Sequence, residues 1–192
     1  MTGDKTKLVA LLQLAYSGEK AAAYAYRGHW HSVSSLEERQ RIAAIEEEEW
    51  HHRRLVGEIL ESMGCAPDGR RELRAGIIGR TLGTLCHFSG WLLPMWGAGR
   101  LESRNIREYE NAARFAAGCG LFVHVDCLLT MAEVEWEHEH YFRNKVKQHW
   151  LGRILPIWPE PPAKDHIRKS FGETLQTLPL QVMTKSVENI QA

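Results

Sequence analysis

Residues 42–63 read I-A-A-I-E-E-E-E-W-H-H-R-R-L-V-G-E-I-L-E-S-M, and the spacing of their apolar residues decides the fold. Ile42, Ile45, Val56, Ile59 and Met63 step by three and four, the period of one helix face. The steps missing from that seam fall on Glu49 and His52, so a carboxylate and an imidazole one turn apart occupy positions that the pattern reserves for the core. Burying an unpaired carboxylate costs several kcal/mol, so something must compensate it. Glu48 and His51 share the spacing but lie off the seam, and they are expected on a solvated surface, as is most of the run Glu46 to Glu49.

The same pattern returns downstream. Leu121, Leu128, Met131 and Phe142 form a second seam whose missing steps are Glu135 and His138. The words E-W-H-H at 49–52 and E-W-E-H at 135–138 suggest an internally duplicated helix hairpin. Glu137 and His140 share a polar stripe with Asp126, Thr130 and Glu133 and are set aside. Two further helices each place one acid on an apolar face: Glu19 among Leu8, Leu12, Ala15, Ala22 and Tyr26, and Glu102 among Met95, Ile106, Tyr109, Ala113 and Ala116. Glu110 competes with Glu102, since E-N-A-A-R-F echoes the E-K-A-A-A-Y that starts at Glu19, but its face carries Ser103, Arg107 and Arg114.

A lone Glu from two helices and Glu-x-x-His from two others is the donor set of a dimetal helical bundle. One inward Glu or His is more often a hydrogen-bonded core group, whereas six at mutually consistent positions point to metal. Four carboxylates and two divalent cations cancel in charge, and neutral imidazoles add none. Oxygen-rich ligation with two imidazoles and no thiolate suits iron or manganese, with copper or zinc competing on raw affinity. Six side chains need not saturate two octahedral ions, which leaves positions for dioxygen or substrate.

The rest of the chain agrees with an all-α fold. At 192 residues it fits one ordinary domain, large enough to bury about 70% of its unfolded surface. Its 24 basic and 24 acidic residues cancel, so no global field invites nucleic acid. Cys65, Cys86, Cys119 and Cys127 form no C-x-x-C and suit reduced, intracellular thiols. Helices are expected at about 5–30, from a Ser34 or Ser35 cap to Met63-Gly64, at 72–90, from near Pro94 to Gly118, and at 121–148. The bundle is expected over 1–149, followed by a proline-containing tail over 150–192 with a short helix-like piece. Leu8 to Ala15, behind Lys5 and Lys7, loosely resembles a leader, but Gln13 interrupts it and the apolar face continues through Tyr26. Thr81 to Gly99 carries no formal charge over 19 residues, yet four glycines, His87 and Pro94 fit a buried or interfacial helix pair better than a membrane span.

With these residues in view, the chain resembles the 5-demethoxyubiquinone hydroxylase family, ferritin-like di-iron monooxygenases, over about residues 15–145. G-E-K-A-A-A-Y-A-Y-R-G-H at 18–29 resembles that family's G-E-x-G-A-x-x-I-Y-x-G-Q segment and sets Glu19 on its first iron ligand. L-E-S-R-N-I-R-E-Y at 101–109 is similar to its V-E-x-x-I-x-x-H-Y segment, and E-W-E-H at 135–138 to its final E-x-x-H. T-L-G-T-L-C-H-F-S-G at 81–90 resembles its apolar helix before the third ligand segment. Glu108 stands where the family has His before Tyr109, a His-Tyr pair tied to substrate and electron handling, and His29 replaces a Gln. Ile106 sits one place late, and the tail from about Leu151 has no counterpart.

The resemblance implies a ferritin-like four-helix bundle with an added apolar helix, binding two iron ions through Glu19, Glu49, His52, Glu102, Glu135 and His138, with Tyr109 beside them. It implies a monooxygenase that uses dioxygen to hydroxylate a quinone ring. NADH is the implied reductant, bound transiently or used by a partner because no G-x-G-x-x-G follows a strand. The setting it implies is cytoplasmic, peripheral to the inner membrane surface. The segment from Ile77 to Met95 offers a path for an isoprenoid tail and a resting face on a membrane; its plainer readings are a core helix pair or the interface of a homo-oligomer. Two other classes use the same donors: a ferroxidase or rubrerythrin-like peroxidase, and a noncatalytic metal-stabilised binding module.

Overall fold

The computed structural model describes residues 2–154 and 156–176, and every regular element among them is helical. The α-helices are α1 (Thr2–Ser32), α2 (Leu36–Ser62), α3 (Gly69–Cys86), α4 (Leu92–Gly118), α5 (Val125–Gln148) and α6 (Lys164–Gln176), with short 3-10 turns at Phe122–His124 and Trp150–Arg153. The expected capping serine is Ser35, whose hydroxyl accepts from the Glu38 amide, and Asp68 caps α3 by accepting from the amides of Arg70 and Arg71.

α2 and α4 end alike. Gly64 and Gly120 take φ of 69° and 78°, a left-handed turn open to glycine. The amides of Cys65 and Leu121 then reach back to the carbonyls of Leu60 and Ala116, each at 2.9 Å.

α1 packs against α2, α3 and α4, and α4 packs against α5. Two apolar clusters divide the core. One gathers Leu8, Leu12, Val56, Leu60, Ala113, Leu128 and Met131, and the other gathers Ala22, Tyr26, Ile42, Ile45, Met95, Phe142 and Val146. α1 and α5 run from the first cluster to the second, while α2 and α4 run the other way. α3 makes this possible: its 18 residues, about 27 Å of helix, carry the chain back along the molecule so that α4 runs parallel to α2.

α3 meets α1 through backbone. A Cβ built on Gly79 would lie 2.4 Å from the Ala21 carbonyl oxygen, and one built on Gly28 would lie 2.2 Å from that of Gly83. Because the inward face of α3 is glycine and Ala75, its large apolar residues point outward: Leu73, Ile77, Ile78, Leu82 and Leu85 are exposed, and Phe88 beyond the helix is 82% exposed. The uncharged stretch 81–99 is thus shared between the end of α3, a turn and the start of α4. Among the described residues no helix is long and apolar enough to cross a membrane.

After α5 the chain folds back. Buried Arg143 donates to the carbonyls of Trp158 and Pro159 at 3.2 and 3.0 Å, and the Trp158 indole donates to Glu139 at 2.6 Å. α6 then lies on α4 and α5, inserting Ile167 and Phe171 into the first cluster. Its Arg168 ties down the polar stripe of Asp126, Thr130 and Glu133. Residue 155 and the last part of the expected tail, 177–192, lie outside the described residues.

Candidate metal centre

On each of α1, α2, α4 and α5 the chemistry-bearing residues sit between a member of one apolar cluster and a member of the other. Glu19 lies between Ala15 and Ala22, Glu49 and His52 between Ile45 and Val56, Glu102 between Met95 and Ile106, and Glu135 and His138 between Met131 and Phe142. All six side chains are buried, none more than 3% exposed.

Their donor atoms form two overlapping groups, each with its atoms within 4.8 Å of one another: Glu19, Glu49, His52 and Glu135, and Glu49, Glu102, Glu135 and His138. Both imidazoles face inward by Nδ1. His52 Nδ1 is 3.0 Å from Glu135 Oε1, and His138 Nδ1 is 3.3 Å from Glu49 Oε1 and 3.5 Å from Glu135 Oε2. Both carboxylate oxygens of Glu49, one each of Glu19 and Glu135, and His138 Nδ1 are buried without a hydrogen-bond partner. Buried polar atoms are ordinarily paired, so this many orphans facing one another fit ions held between them.

Electrostatics agree. Burial, reinforced by the neighbouring acids, pushes the Glu49 and Glu102 carboxyls well above the ordinary range, and burial raises Glu19 as well. Burial would also raise Glu135, but the adjacent His138 and His52 imidazoles outweigh it and hold that carboxyl low. His138 moves up to about 9 despite burial, because Glu135 and Glu48 stabilise its charged form. Without cations burial thus favours the neutral carboxyls of Glu49 and Glu102, while Glu135 stays an anion beside the histidines; with four carboxylates ionised the centre demands positive charge.

Two tyrosines extend the arrangement. Tyr109 on α4 donates to Glu19 on α1, and Tyr26 on α1 donates to Glu102 on α4. Each tyrosine stands seven residues after the Glu of its own helix and bonds to the Glu of the other, a reciprocal exchange in keeping with internal duplication. Burial and the adjacent carboxylates push both phenols well above their usual range, so they remain donors. Tyr26 reads in sequence only as an apolar-face residue; the signal for its role is this shared seven-residue offset.

The set-aside acids fall outside the centre, with one correction. Glu110 lies by Arg114 at 4.0 Å, Glu137 pairs with Lys164, and His140 stacks on Trp136. Exposed His51 lies near Arg54. The run Glu46 to Glu49, however, is not mainly solvated. Glu46 is buried, accepting from Arg27, Trp30 and Trp50. Glu48 places Oε2 2.6 Å from His138 Nε2 while Arg41 holds the same oxygen at 3.1 Å. α5 brings His138 to α2 from the side, a meeting that the periodicity of α2 alone does not contain.

Glu108 pairs with Arg104 at 2.6 Å and lines, with Leu101 and Asn105, a cavity of about 40 Å³ between α1 and α4 that reaches Glu19 and Tyr109. His29 is buried apart from the centre, stacked on Phe142 and Tyr26, and burial lowers it to about 4. No family model, curated protein or solved structure matches the chain.

Proposed function

We propose that the chain is a ferritin-like four-helix bundle with a crossover helix, and that it works as a di-iron, oxygen-activating oxidoreductase. The observation that carries this reading is the set of facing, unpartnered buried donors on Glu19, Glu49, Glu135 and His138. Glu19 and His52 would hold one ion, Glu102 and His138 the other, and Glu49 and Glu135, common to both groups, would serve the pair. Manganese suits the same donors.

When bound, the iron pair supplies the redox chemistry that protein side chains lack. The chain itself contributes position and dryness. Tyr26 and Tyr109 fix the two lone glutamates by O–H donation, and the two apolar clusters keep water from both ends of the centre. The resemblance to demethoxyubiquinone hydroxylases supports a quinone as substrate. One ring C–H and one dioxygen, with two electrons and one proton from a reductant such as NADH and a second proton from solvent, would yield one C–OH and one water.

A single-turnover assay tests this: anaerobic Fe(II) loading, then NADH, a short-tailed demethoxyquinone and oxygen, with products read by mass spectrometry. A product one oxygen heavier, absent from Glu135→Ala, is expected. Iron oxidation with the quinone unchanged would overturn the quinone assignment.

The cavity supports a second reading. At about 40 Å³ it has room for a few waters or a dioxygen, one water needing about 10–15 Å³. A ring would require the Glu108–Arg104 pair at its edge to move. Iron or peroxide as the substrate itself needs no such movement, and iron oxidation without quinone product would select it.

The outward face of α3 supports contact with a membrane surface. No acid occurs from Leu73 to Leu101, and Arg70, Arg71, Arg74, Arg80 and Arg100 accompany the exposed Leu73, Ile77, Ile78, Leu82 and Leu85. Apolar side chains flanked by arginine suit a helix resting on anionic lipid.

A further inference from the structure

The duplicated halves of the centre are not equally supported. Glu102 has both carboxylate oxygens engaged, one by Tyr26 and the other by the Asn105 amide at 2.8 Å. Glu19 has only Tyr109, and its Oε2 is without a partner. Asn105 stands three residues after Glu102, and Ala22, three after Glu19, cannot donate. The histidines differ likewise. Glu48, immediately before Glu49, lies 2.6 Å from His138 Nε2, whereas the residue immediately before Glu135 is Val134, which has no acceptor to offer a histidine. Both additions fall on the same group: Glu49, Glu102, Glu135 and His138.

A histidine that binds metal by one nitrogen is held in ring orientation and tautomer by an acceptor on the other, and loss of that acceptor weakens metal binding. Glu48 meets this description. Its carboxylate is anchored by Arg41, and it fixes Nε2 as the donor so that Nδ1 is left facing Glu49 and Glu135.

We infer that Glu48 is the positioning residue for His138, and that it and Asn105 make the two metal positions inequivalent, so that the His138 half loads before the His52 half. This inference rests on the dimetal reading above. It adds an order of loading that the six ligands alone, nearly symmetric in type, do not specify.

The test is a Zn(II) titration of the metal-free full-length chain with ¹⁵N-labelled histidine, followed by long-range ¹H–¹⁵N spectra. Zn(II) is diamagnetic and redox-inert, so neither oxygen nor turnover enters. His138 Nδ1 is expected to shift with the first equivalent while Nε2 stays protonated, and His52 with the second. Glu48→Ala should weaken the first step roughly ten- to a hundredfold and bring the two histidines to shift together, while Glu48→Gln, which keeps an acceptor oxygen, restores part of the loss. A melt of each metal-free variant reports folding, and Glu48→Gln carries the comparison if Glu48→Ala does not fold. His52 shifting first, simultaneous shifts in the unaltered protein, or an unchanged first step in the variants would overturn the inference. An unaltered chain that takes up fewer than two Zn(II) would instead overturn the dimetal reading on which it rests.

Discussion

Proton and cation compete for the same buried atoms. Glu49 and Glu102 hold their protons far above the ordinary carboxylate range because burial and mutual repulsion penalise the anions, and His138 is raised to about 9 by its carboxylate neighbours. Metal binding must strip those protons, because the ligating forms are the carboxylate and the neutral imidazole nitrogen. Zn(II) loading near pH 7 is therefore expected to release protons, detected with a pH indicator in weak buffer, and apparent affinity should rise with pH between 6 and 9. Loading without proton release would contradict the protonated metal-free centre. At this scale the sequence discloses the acids well: Glu49, His52, Glu135 and His138 stand out because each interrupts an apolar seam. Tyr26 and Glu48 do not, since Tyr26 fits its apolar face and Glu48 acquires its role from a histidine on another helix.

The element that departs most from expectation is α3. Its glycines are plain in the sequence, but a one-dimensional pattern does not say whether an apolar helix turns its leucines or its glycines inward. The Gly79 and Gly83 approach to α1 settles the matter, because no side chain fits between the two backbones. Gly83→Val would drive a branched side chain into the Tyr24 carbonyl, 2.7 Å from where its Cβ must lie, and should cost about 1–3 kcal/mol, read as a lower denaturation midpoint. An unchanged midpoint would deny the close packing. The outward face has its own test. Ile77→Asp with Leu82→Asp should abolish cosedimentation with vesicles rich in anionic lipid while leaving the helical signal intact. Binding that survives both changes would remove α3 from any membrane role.

On the scale of the whole molecule, α1, α2, α4 and α5 surround the centre and α6 closes over α4 and α5. Prolines 156, 159, 161 and 162 show in sequence where helix stops, but not that the segment after them returns to the core. That return depends on Arg143 meeting the carbonyls of Trp158 and Pro159 and on Arg168 meeting the acids of α5. Phe171, buried in the first cluster, should cost about 3–5 kcal/mol when replaced by Ala, measured by urea unfolding. A loss within about 0.5 kcal/mol, as for an exposed surface site, would show that α6 is not part of the folded unit. The central claim is tested most directly by counting metal after anaerobic Fe(II) loading and desalting. Two ions per chain are expected for the unaltered protein and for Glu110→Ala and His140→Ala, and a clear loss for Glu49→Ala and His138→Ala. Fewer than two in the unaltered chain, or two retained without Glu49 and without His138, would contradict the dimetal centre.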